Sequence, residues 1–128
     1  MARSSLKTLK KRAEFLRIRG GRRWSNSAFV LEARSRPNDP GAPAGARFGF
    51  TVSKKIGSAV VRNRVRRRLR SLAAALDPGQ MRQDFDYVLI ARPGAVGREY
   101  LDLKADLDQA LSRIHQPPQA KGRTQRPQ

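Results

Sequence analysis

The pattern of apolar and polar residues along the chain predicts several short strands. Residues 27–34 and 47–53 alternate between apolar and polar positions, which is typical of strands with one buried face. Residues 86–92 are apolar at both sets of alternating positions, so this segment is expected to be a central strand buried on both faces. A further short strand is predicted near Arg22–Trp24, which would complete a four-stranded sheet.

Three other segments repeat their apolar residues with helical spacing. Residues 8–19 form the first predicted helix, with Thr8 as its N-cap and a glycine pair at its end. Residues 58–76 form the longest predicted helix, and Ser58 is its expected N-cap. Residues 99–114 form an amphipathic helix. Its buried stripe is predicted to consist of Leu103, Leu107, Ala110, Leu111 and Ile114.

These elements predict an α+β fold, with a small mixed four-stranded sheet and three helices. Residues 8–115 form the single predicted domain. A basic arm at residues 1–7 precedes it, and a disordered basic tail at residues 116–128 follows it. Within the domain, residues 35–46 are rich in proline and glycine, and they are expected to form a flexible loop.

The chain is strongly basic, and its charge is concentrated. Its 128 residues carry a formal net charge of +18, and no acidic residue occurs between Asp39 and Asp77. That interval contains Arg47, Lys54, Lys55, Arg62, Arg64, Arg66, Arg67, Arg68 and Arg70. Such an excess opposes folding by self-repulsion, and a polyanionic partner usually neutralises it. Nucleic acid is the leading candidate for that partner, and an anionic membrane surface is the alternative.

The composition excludes several kinds of site. There is no cysteine and only one histidine, which rules out disulfides, thiolate metal sites and multi-histidine centres. The chain has no apolar run long enough for a membrane span and no secretory signal, so a cytoplasmic location is expected. Asp84 and Asp86 are interpreted as turn and strand-start residues, and no carboxylate pair near the basic helix could serve acid–base catalysis. His115, beside the tail, is expected to be exposed and without a role.

The helix at residues 58–76 separates an apolar stripe from a basic face. The stripe consists of Val61, Val65, Leu69, Leu72 and Leu76, and the basic face consists of Asn63, Arg62, Arg64, Arg66, Arg67, Arg68 and Arg70. Several of these arginines lie one turn apart, and no carboxylate in the segment offsets their repulsion. Each such pair destabilises the helix by about 0.2–0.5 kcal/mol. Because solvated helices normally mix charges, this face is predicted to bind phosphates, which arginine contacts bidentately.

The run FGFTVSKKIGSAVVRNRVRRRLR at residues 48–70 resembles the signature of the bacterial ribonuclease P protein family. The core of that signature is Ala59, two further residues, and then Arg62-Asn63-Arg64. Upstream, KKRAEFLRIRGGRR at residues 10–23 is similar to the family's first helix. Downstream, DYVLIARPGA at residues 86–95 is similar to its last strand.

This resemblance implies an RNA-binding protein subunit that assists a catalytic RNA. The holoenzyme would be an endoribonuclease that removes the 5′ leader from precursor tRNA. The RNA subunit would supply the active site and Mg²⁺, whereas the protein would have no catalytic residue, no bound metal or cofactor, and no need to form a homo-oligomer. The protein would lower the Mg²⁺ requirement. The resemblance also implies a left-handed crossover between the strands at residues 47–53 and 86–92.

The resemblance assigns two sets of binding residues. The surface that meets the RNA subunit would comprise Ser53, Lys54, Lys55, Arg62, Asn63, Arg64, Arg66, Arg67, Arg68 and Arg70. The cleft that receives the single-stranded leader would comprise Lys11, Arg12, Phe15 and Arg19. Phe15 is the expected stacking residue, because it lies off the predicted apolar stripe of Leu9, Ala13 and Leu16, although without the resemblance a core phenylalanine would be an equally good interpretation.

Three residues near the expected cleft depart from the family pattern or stay open. Arg19 and Glu32 stand where the family often has an aromatic residue, so the guanidinium of Arg19 could stack instead, and Glu32 would repel phosphate unless it is paired. Trp24 could either stack on a base or cap the core.

Two other functions remain as alternatives. A structural rRNA-binding protein or RNA chaperone could have the same small basic fold, although the spacing of SKKIG at residues 53–57 and RNR at residues 62–64 disfavours it. A membrane-active amphipathic helix is disfavoured because the apolar stripe of the basic helix lacks a bulky aromatic residue.

Overall fold

The computed structural model describes residues 7–9, 11–36 and 45–116, which form one five-stranded sheet and three α-helices. The strands are β1 (Lys7–Thr8), β2 (Arg22–Ser25), β3 (Phe29–Ser35), β4 (Arg47–Thr51) and β5 (Phe85–Ala91). The helices are α1 (Arg12–Ile18), α2 (Ala59–Ala74) and α3 (Tyr100–Ile114), with short 3-10 turns at Lys54–Ile56, Pro78–Gln80 and Pro93–Ala95.

The sheet is mixed, and its strand order is β1-β4-β5-β3-β2. β4 and β5 are parallel and are joined through α2, whereas β3 pairs antiparallel with both β5 and β2. The central place of β5 confirms the prediction made from its two-sided apolar pattern. The α+β class and the three helices are also confirmed.

The two faces of the sheet are covered unequally. On one face, α2 and α3 bury the main core, whose largest side chains include Phe29, Phe48, Tyr87, Leu69 and Leu107. On the other face, α1 covers only a small cluster formed by Leu9, Ile18 and Val88, with Phe15 and Ile90 packed beside it. Part of that second face therefore stays open to solvent next to α1.

The predicted count of four strands is wrong, because Lys7 and Thr8 form an additional edge strand. These two residues pair in parallel with Arg47 and Phe48, and α1 begins only at Arg12. Thr8 is therefore a strand residue and not a helix N-cap. The predicted loop at 35–46 and the tail at 116–128 lie largely outside the described residues, as does nearly all of the arm at 1–7.

The apolar stripe predicted for the first helix is also wrong. Leu16 is 45% exposed and Ala13 is exposed, whereas Ile18 is fully buried. The side of α1 that faces the sheet is therefore the side that carries Phe15 and Ile18. The predicted stripe failed because α1 begins only at Arg12, so Leu9 belongs to the segment before the helix. Phe15 is consequently half-buried rather than displaced from the packed face.

A buried carboxylate attaches α1 to the sheet. Asp86 of β5 is fully buried and accepts hydrogen bonds from Arg17 (2.8 Å), Arg36 (2.5 Å) and Arg47 (2.8 and 2.9 Å). Arg47 also pairs with Glu14 of α1 at 3.0 Å. Burial raises the pKa of Asp86, but the hydrogen bonds from the three arginines outweigh burial and hold the pKa below its ordinary value. Asp86 is thus the centre of an ion cluster, not merely a strand-start residue.

His115 was expected to be exposed, and the structure corrects this. The Nε2 atom of His115 lies 2.7 Å from the hydroxyl of Tyr87, which also accepts a hydrogen bond from the backbone N–H of Arg82 at 2.8 Å. The tautomer of the His115 ring decides which of the two groups donates in this hydrogen bond. Burial, together with the nearby charges of Arg82 and Arg22, lowers the pKa of His115 to about 4.

We expect acid to destabilise the fold through His115. An unfolded histidine titrates near pH 6.5, so the native neutral form is fully favoured above that pH, and stability falls as the pH drops from 6.5 towards 4. Because the ring is partly solvated, the expected loss is about 1–2 kcal/mol, and His115→Gln should remove that pH dependence while keeping a hydrogen-bonding side chain opposite Tyr87. Urea denaturation at pH 7 and pH 4.5 measures both. Equal pH dependence in the variant and the parent would contradict the prediction.

Candidate nucleic-acid interface

The helix α2 has the two-sided character that the sequence predicts. Val65, Leu69 and Leu72 are buried against the sheet, and the hydroxyl oxygen of Ser58 accepts the backbone N–H of Val61 at 3.3 Å, which confirms Ser58 as the N-cap. Because the apolar stripe is committed to the core, the remaining circumference of α2 is directed away from it.

Within the described residues, the arginines on the outer side of α2 have no carboxylate partner. In the part of the chain that the structure describes, every acidic side chain in an ion pair is matched to Arg17, Arg23, Arg36, Arg47, Arg98 or Lys104. Arg62 donates instead to the carbonyl of Gly57 at 3.2 Å, and Arg66 donates to the amide oxygen of Asn63 at 3.1 Å. Arg64, Arg67 and Arg70 are exposed. The outer face of α2 is therefore a concentrated positive surface within the described residues.

Arg68 differs from the other arginines of α2. Its guanidinium donates to the carbonyl oxygens of Ala95 and Arg98, in the segment that leads into α3. These bonds fix Arg68 between two elements of the protein itself. A periodic sequence pattern could not reveal this, because the two carbonyl groups lie about 30 residues further along the chain.

The connection from β4 to α2 places two more cations beside the basic face. Ile56 is buried and anchors the turn, which leaves Ser53, Lys54 and Lys55 exposed. Gly57 has a φ of 151°, a conformation that other residues rarely adopt, and a Cβ at this position would come within 3.2 Å of Val61. The turn therefore depends on glycine to bring both lysines next to the start of α2.

A groove of about 710 Å³ lies between α1 and the open part of the sheet. Arg12 and Phe15 of α1 line it, together with Arg19 directly after the helix; these are three of the four residues predicted for a leader cleft. Lys11, the fourth, is exposed at the start of α1 and does not line the groove. The groove thus combines a half-buried aromatic ring with cations, which is the arrangement that binds single-stranded nucleic acid.

The sequence did not single out the apolar part of the groove. Val88 and Ile90 of β5 line it, together with Thr51 and Arg66. The alternation of β5 contained a usable signal, because Val88 and Ile90 point to the face opposite Tyr87 and Leu89. Arg66 belongs to α2, so the basic face and the groove meet at this residue.

Phe15 lies directly over a glycine. A Cβ at Gly49 of β4 would come within 2.5 Å of the ring atom Cε2 of Phe15. Only glycine therefore permits the ring to approach the sheet this closely. The ring is held at the wall of the groove and is only half-buried, so one part of it packs on the protein and another part meets the groove.

Glu32 of β3 and Trp24 of β2, whose roles the sequence left open, lie on opposite faces of the sheet. Glu32 lines the groove, and its carboxylate is paired with Arg23 at 2.9 Å, so it is neutralised. Trp24 packs against the main core, with the guanidinium of Arg113 5.8 Å from its ring centroid. Trp24 therefore caps the core and takes no part in the groove.

The described residues contain neither a candidate metal site nor a helix suited to a membrane. No group of three or more histidine, aspartate or glutamate side chains there is arranged to hold a metal ion. None of the helices in the same ranges combines the length and apolar character that crossing a membrane requires.

Comparison with known proteins decides the family. The family model described as Ribonuclease P matches residues 4–115. The chain belongs to the ribonuclease P protein family. The ribonuclease P protein component of Ruegeria pomeroyi is 43% identical over 117 residues, which cover 91% of this chain and 92% of the relative. That of Gluconacetobacter diazotrophicus is 46% identical over 105 residues, covering 80% and 86%.

Solved structures of the same family agree with the fold. The ribonuclease P protein of Staphylococcus aureus superimposes with a TM-score of 0.71 at 28% identity and covers 87% of this chain and 97% of its own. The ribonuclease P protein of Thermotoga maritima gives a TM-score of 0.71 at 26% identity, covering 86% and 99%. The resemblance inferred from residues 48–70 is thereby confirmed.

Membership of this family defines the activity to which the chain contributes. Ribonuclease P is an endoribonuclease that matures the 5′ ends of tRNAs, and the protein component works in a ribonucleoprotein with an RNA partner. An independent structural rRNA-binding protein or RNA chaperone is not favoured.

Proposed function

We propose that the chain binds the ribonuclease P RNA subunit through the outer face of α2 and the turn before it. The residues of this surface are Ser53, Lys54, Lys55, Arg62, Asn63, Arg64, Arg66, Arg67 and Arg70. The observation that supports it most directly is the lack of carboxylate partners for these arginines among the described residues. Their repulsion is relieved once phosphates lie against the helix. Arg68 is not included, because its guanidinium holds the segment before α3. It would affect RNA binding only indirectly, through the position of that segment.

We further propose that the groove receives the 5′ leader of precursor tRNA as a single strand. Phe15 supplies a stacking surface, and Arg12 and Arg19 supply charges for the backbone. Lys11, at the start of α1, extends this positive edge. Because Arg66 lines the groove and also belongs to α2, the leader and the RNA subunit would bind side by side.

The protein would act by positioning and charge, with the RNA subunit supplying the catalytic groups and Mg²⁺. Cations of the protein replace some of the Mg²⁺ that RNA needs in order to bring its own phosphates together, so the Mg²⁺ requirement is lowered. Residues 8–115 would act as one domain, with residues 1–7 as a basic arm and 116–128 as a basic tail. The parallel connection from β4 through α2 to β5 would be left-handed, as the family resemblance implies.

Replacing Phe15 tests the leader groove. With the reconstituted holoenzyme, Phe15→Ala should weaken binding of leader-bearing precursor tRNA by about 1–3 kcal/mol, because one base loses its stacking partner. Binding of mature tRNA should stay unchanged. Fluorescence titration of both RNAs, repeated over a range of Mg²⁺ concentrations, measures the two affinities and the shift in Mg²⁺ requirement.

Leu16→Ala is a suitable control for this experiment. Leu16 also lines the groove from α1 but is 45% exposed and has no aromatic ring. An equal loss on precursor and mature tRNA with Phe15→Ala would show that Phe15 only supports the fold. If the parent protein gives no stimulation of cleavage at any Mg²⁺ concentration, the proposed function is wrong.

A further inference from the structure

Tyr100, in the first turn of α3, is an aromatic side chain at the surface of the protein. Its side chain is 37% exposed, whereas each of the other aromatic residues in the described ranges is buried or half-buried. The hydroxyl oxygen of Tyr100 lies 3.2 Å from the hydroxyl oxygen of Ser71 on α2, which is a hydrogen-bonding distance. One end of the ring is therefore held beside α2, and part of its surface stays open to solvent.

The backbone that leads to Tyr100 is attached to α2 as well. The guanidinium of Arg68 donates to the carbonyl oxygens of Ala95 and Arg98, and Arg98 lies two residues before Tyr100. The side chain of Arg98 is itself fixed by two hydrogen bonds to Asp106, of 2.8 and 3.1 Å. Because the ring is positioned before any ligand arrives, little conformational entropy is lost when a ligand packs against it.

The ring lies at the end of a row of arginines on α2. Ser71 follows Arg67 by four residues and Arg64 by seven, so the three side chains share one side of the helix. Arg64 and Arg67 are exposed and have no carboxylate partner among the described residues. An aromatic ring next to such cations is the combination that binds nucleic-acid bases outside a double helix, since the ring stacks on the base and the cations attract the backbone.

The charges closest to Tyr100 in sequence favour a base over a phosphate at the ring itself. Glu99 and Asp102 flank Tyr100 on α3, and both are exposed. Their negative charges oppose a phosphate placed directly over the ring, whereas they do not repel a neutral base. The phosphates on either side of that base would meet Arg64 and Arg67 instead. The ligand that fits is therefore an unpaired nucleotide in a larger RNA.

We propose that Tyr100 is the stacking platform for one unpaired base of the RNA subunit. This inference rests on the proposed binding of the RNA subunit by α2, and it extends that surface onto α3. The platform is separate from the leader groove, because Tyr100 does not line the groove. Ser71 also lies about 140° around α2 from Arg66, the residue of α2 that does line it. Stacking requires an unpaired base, so Tyr100 would recognise the shape of the RNA in addition to its charge.

Replacement of Tyr100 by alanine tests the platform with the full-length chain and the RNA subunit. Tyr100→Ala should weaken binding about tenfold, because one base loses its stacking partner. The slope of log K against log salt should stay unchanged, because no cation is removed. Tyr100→Leu keeps a large apolar side chain without an aromatic ring, and it should lose nearly as much affinity. It keeps the experiment decisive if circular dichroism shows that Tyr100→Ala does not fold.

Three further variants separate stacking from a purely structural role. Tyr100→Phe and Ser71→Ala each remove the hydrogen bond between α2 and α3 but keep the ring, and both should bind within about twofold of the parent, since an exposed hydrogen bond between neutral groups contributes little. Leu101→Ala is the matched control for lost apolar surface, because Leu101 is adjacent and 74% exposed. It should bind as the parent does. Losses in Tyr100→Phe and Ser71→Ala as large as that in Tyr100→Ala would show that Tyr100 only joins the two helices.

Chemical probing of the RNA subunit provides an independent readout. Acylation of 2′-hydroxyl groups reports the mobility of each nucleotide. One unpaired nucleotide should be immobilised by the parent protein and mobile in the complex with Tyr100→Ala. If the two complexes give the same reactivity at every nucleotide, the inference is wrong. It is also wrong if the protein without RNA sediments as a dimer and Tyr100→Ala as a monomer, because the ring would then bind a second copy of the chain.

The outcomes distinguish this inference from the proposed function. Unchanged affinity in Tyr100→Ala, together with weak binding when Arg62, Arg64 and Arg66 are replaced by glutamine, overturns the platform and leaves the RNA-binding role of α2 in place. If replacement of the three arginines has no effect on affinity, the proposed surface on α2 is wrong and the platform is rejected with it.

Discussion

Replacement of Arg62, Arg64 and Arg66 together by glutamine is expected to weaken binding of the RNA subunit by about a hundredfold or more. Each charge-assisted hydrogen bond to phosphate contributes about 1.5–3 kcal/mol. Each lost phosphate contact should also reduce the slope of log K against log salt by about 0.7–0.9. The variant should therefore bind more weakly and depend less on salt, by about 2 units of slope for three contacts.

A matched variant separates local contacts from net charge. Replacing Arg82, Lys104 and Arg113 by glutamine removes the same three charges from other parts of the surface. These residues are exposed and do not belong to α2. Filter binding at several salt concentrations measures both variants, and circular dichroism checks that α2 still folds. Equal losses in the two variants would show that total charge, and not the face of α2, determines affinity.

Asp86→Asn is expected to lower the free energy of unfolding by about 3–5 kcal/mol. Removal of one partner from a buried ion cluster leaves the opposite charges uncompensated, and here three guanidinium groups converge on one carboxylate. The side-chain amide of the introduced asparagine also places an N–H donor opposite the N–H donors of the arginines, where only an acceptor fits. In the parent, stability should decline as acid protonates Asp86, below the ordinary carboxylate value of 3.8, because the folded state holds this pKa down.

Asp84→Asn is the control for this substitution. Asp84 lies two positions earlier, is exposed, and forms no ion pair among the described residues. A surface change of this kind normally alters stability by less than about 0.5 kcal/mol. Urea denaturation at pH 7 gives both values. A loss below about 1 kcal/mol for Asp86→Asn would mean that water satisfies the arginines nearly as well as the carboxylate does.

The parts of the fold that the sequence could predict are those determined by local periodicity. The spacing of Val65, Leu69 and Leu72 defined both α2 and its buried side, and Ser58 marked its first turn. The two-sided apolar pattern of residues 86–92 predicted a central strand, as β5 proved to be. The same periodicity located the basic face of α2, since a helix with one buried stripe must expose its other positions.

The parts that could not be predicted depend on contacts between distant segments. β1 is only two residues long, and its partner Arg47 lies 40 positions away, so no local pattern distinguished it from the start of a helix. The partners of Asp86 come from Arg17, Arg36 and Arg47, which are 39 to 69 positions away. Arg68 was indistinguishable from its neighbours because the carbonyl groups it binds belong to the segment between β5 and α3.

The place of Arg66, at the border between the face of α2 and the groove, has an evolutionary consequence if both proposed surfaces operate. A substitution of Arg66 would change the affinity for two RNAs at once. One is the RNA subunit, which is always the same molecule, and the other is the leader, which differs from one tRNA gene to the next. Selection on either affinity would constrain the other. Adaptation to a new set of leaders should therefore proceed through residues confined to the groove, such as Phe15 and Arg19, and leave Arg66 unchanged.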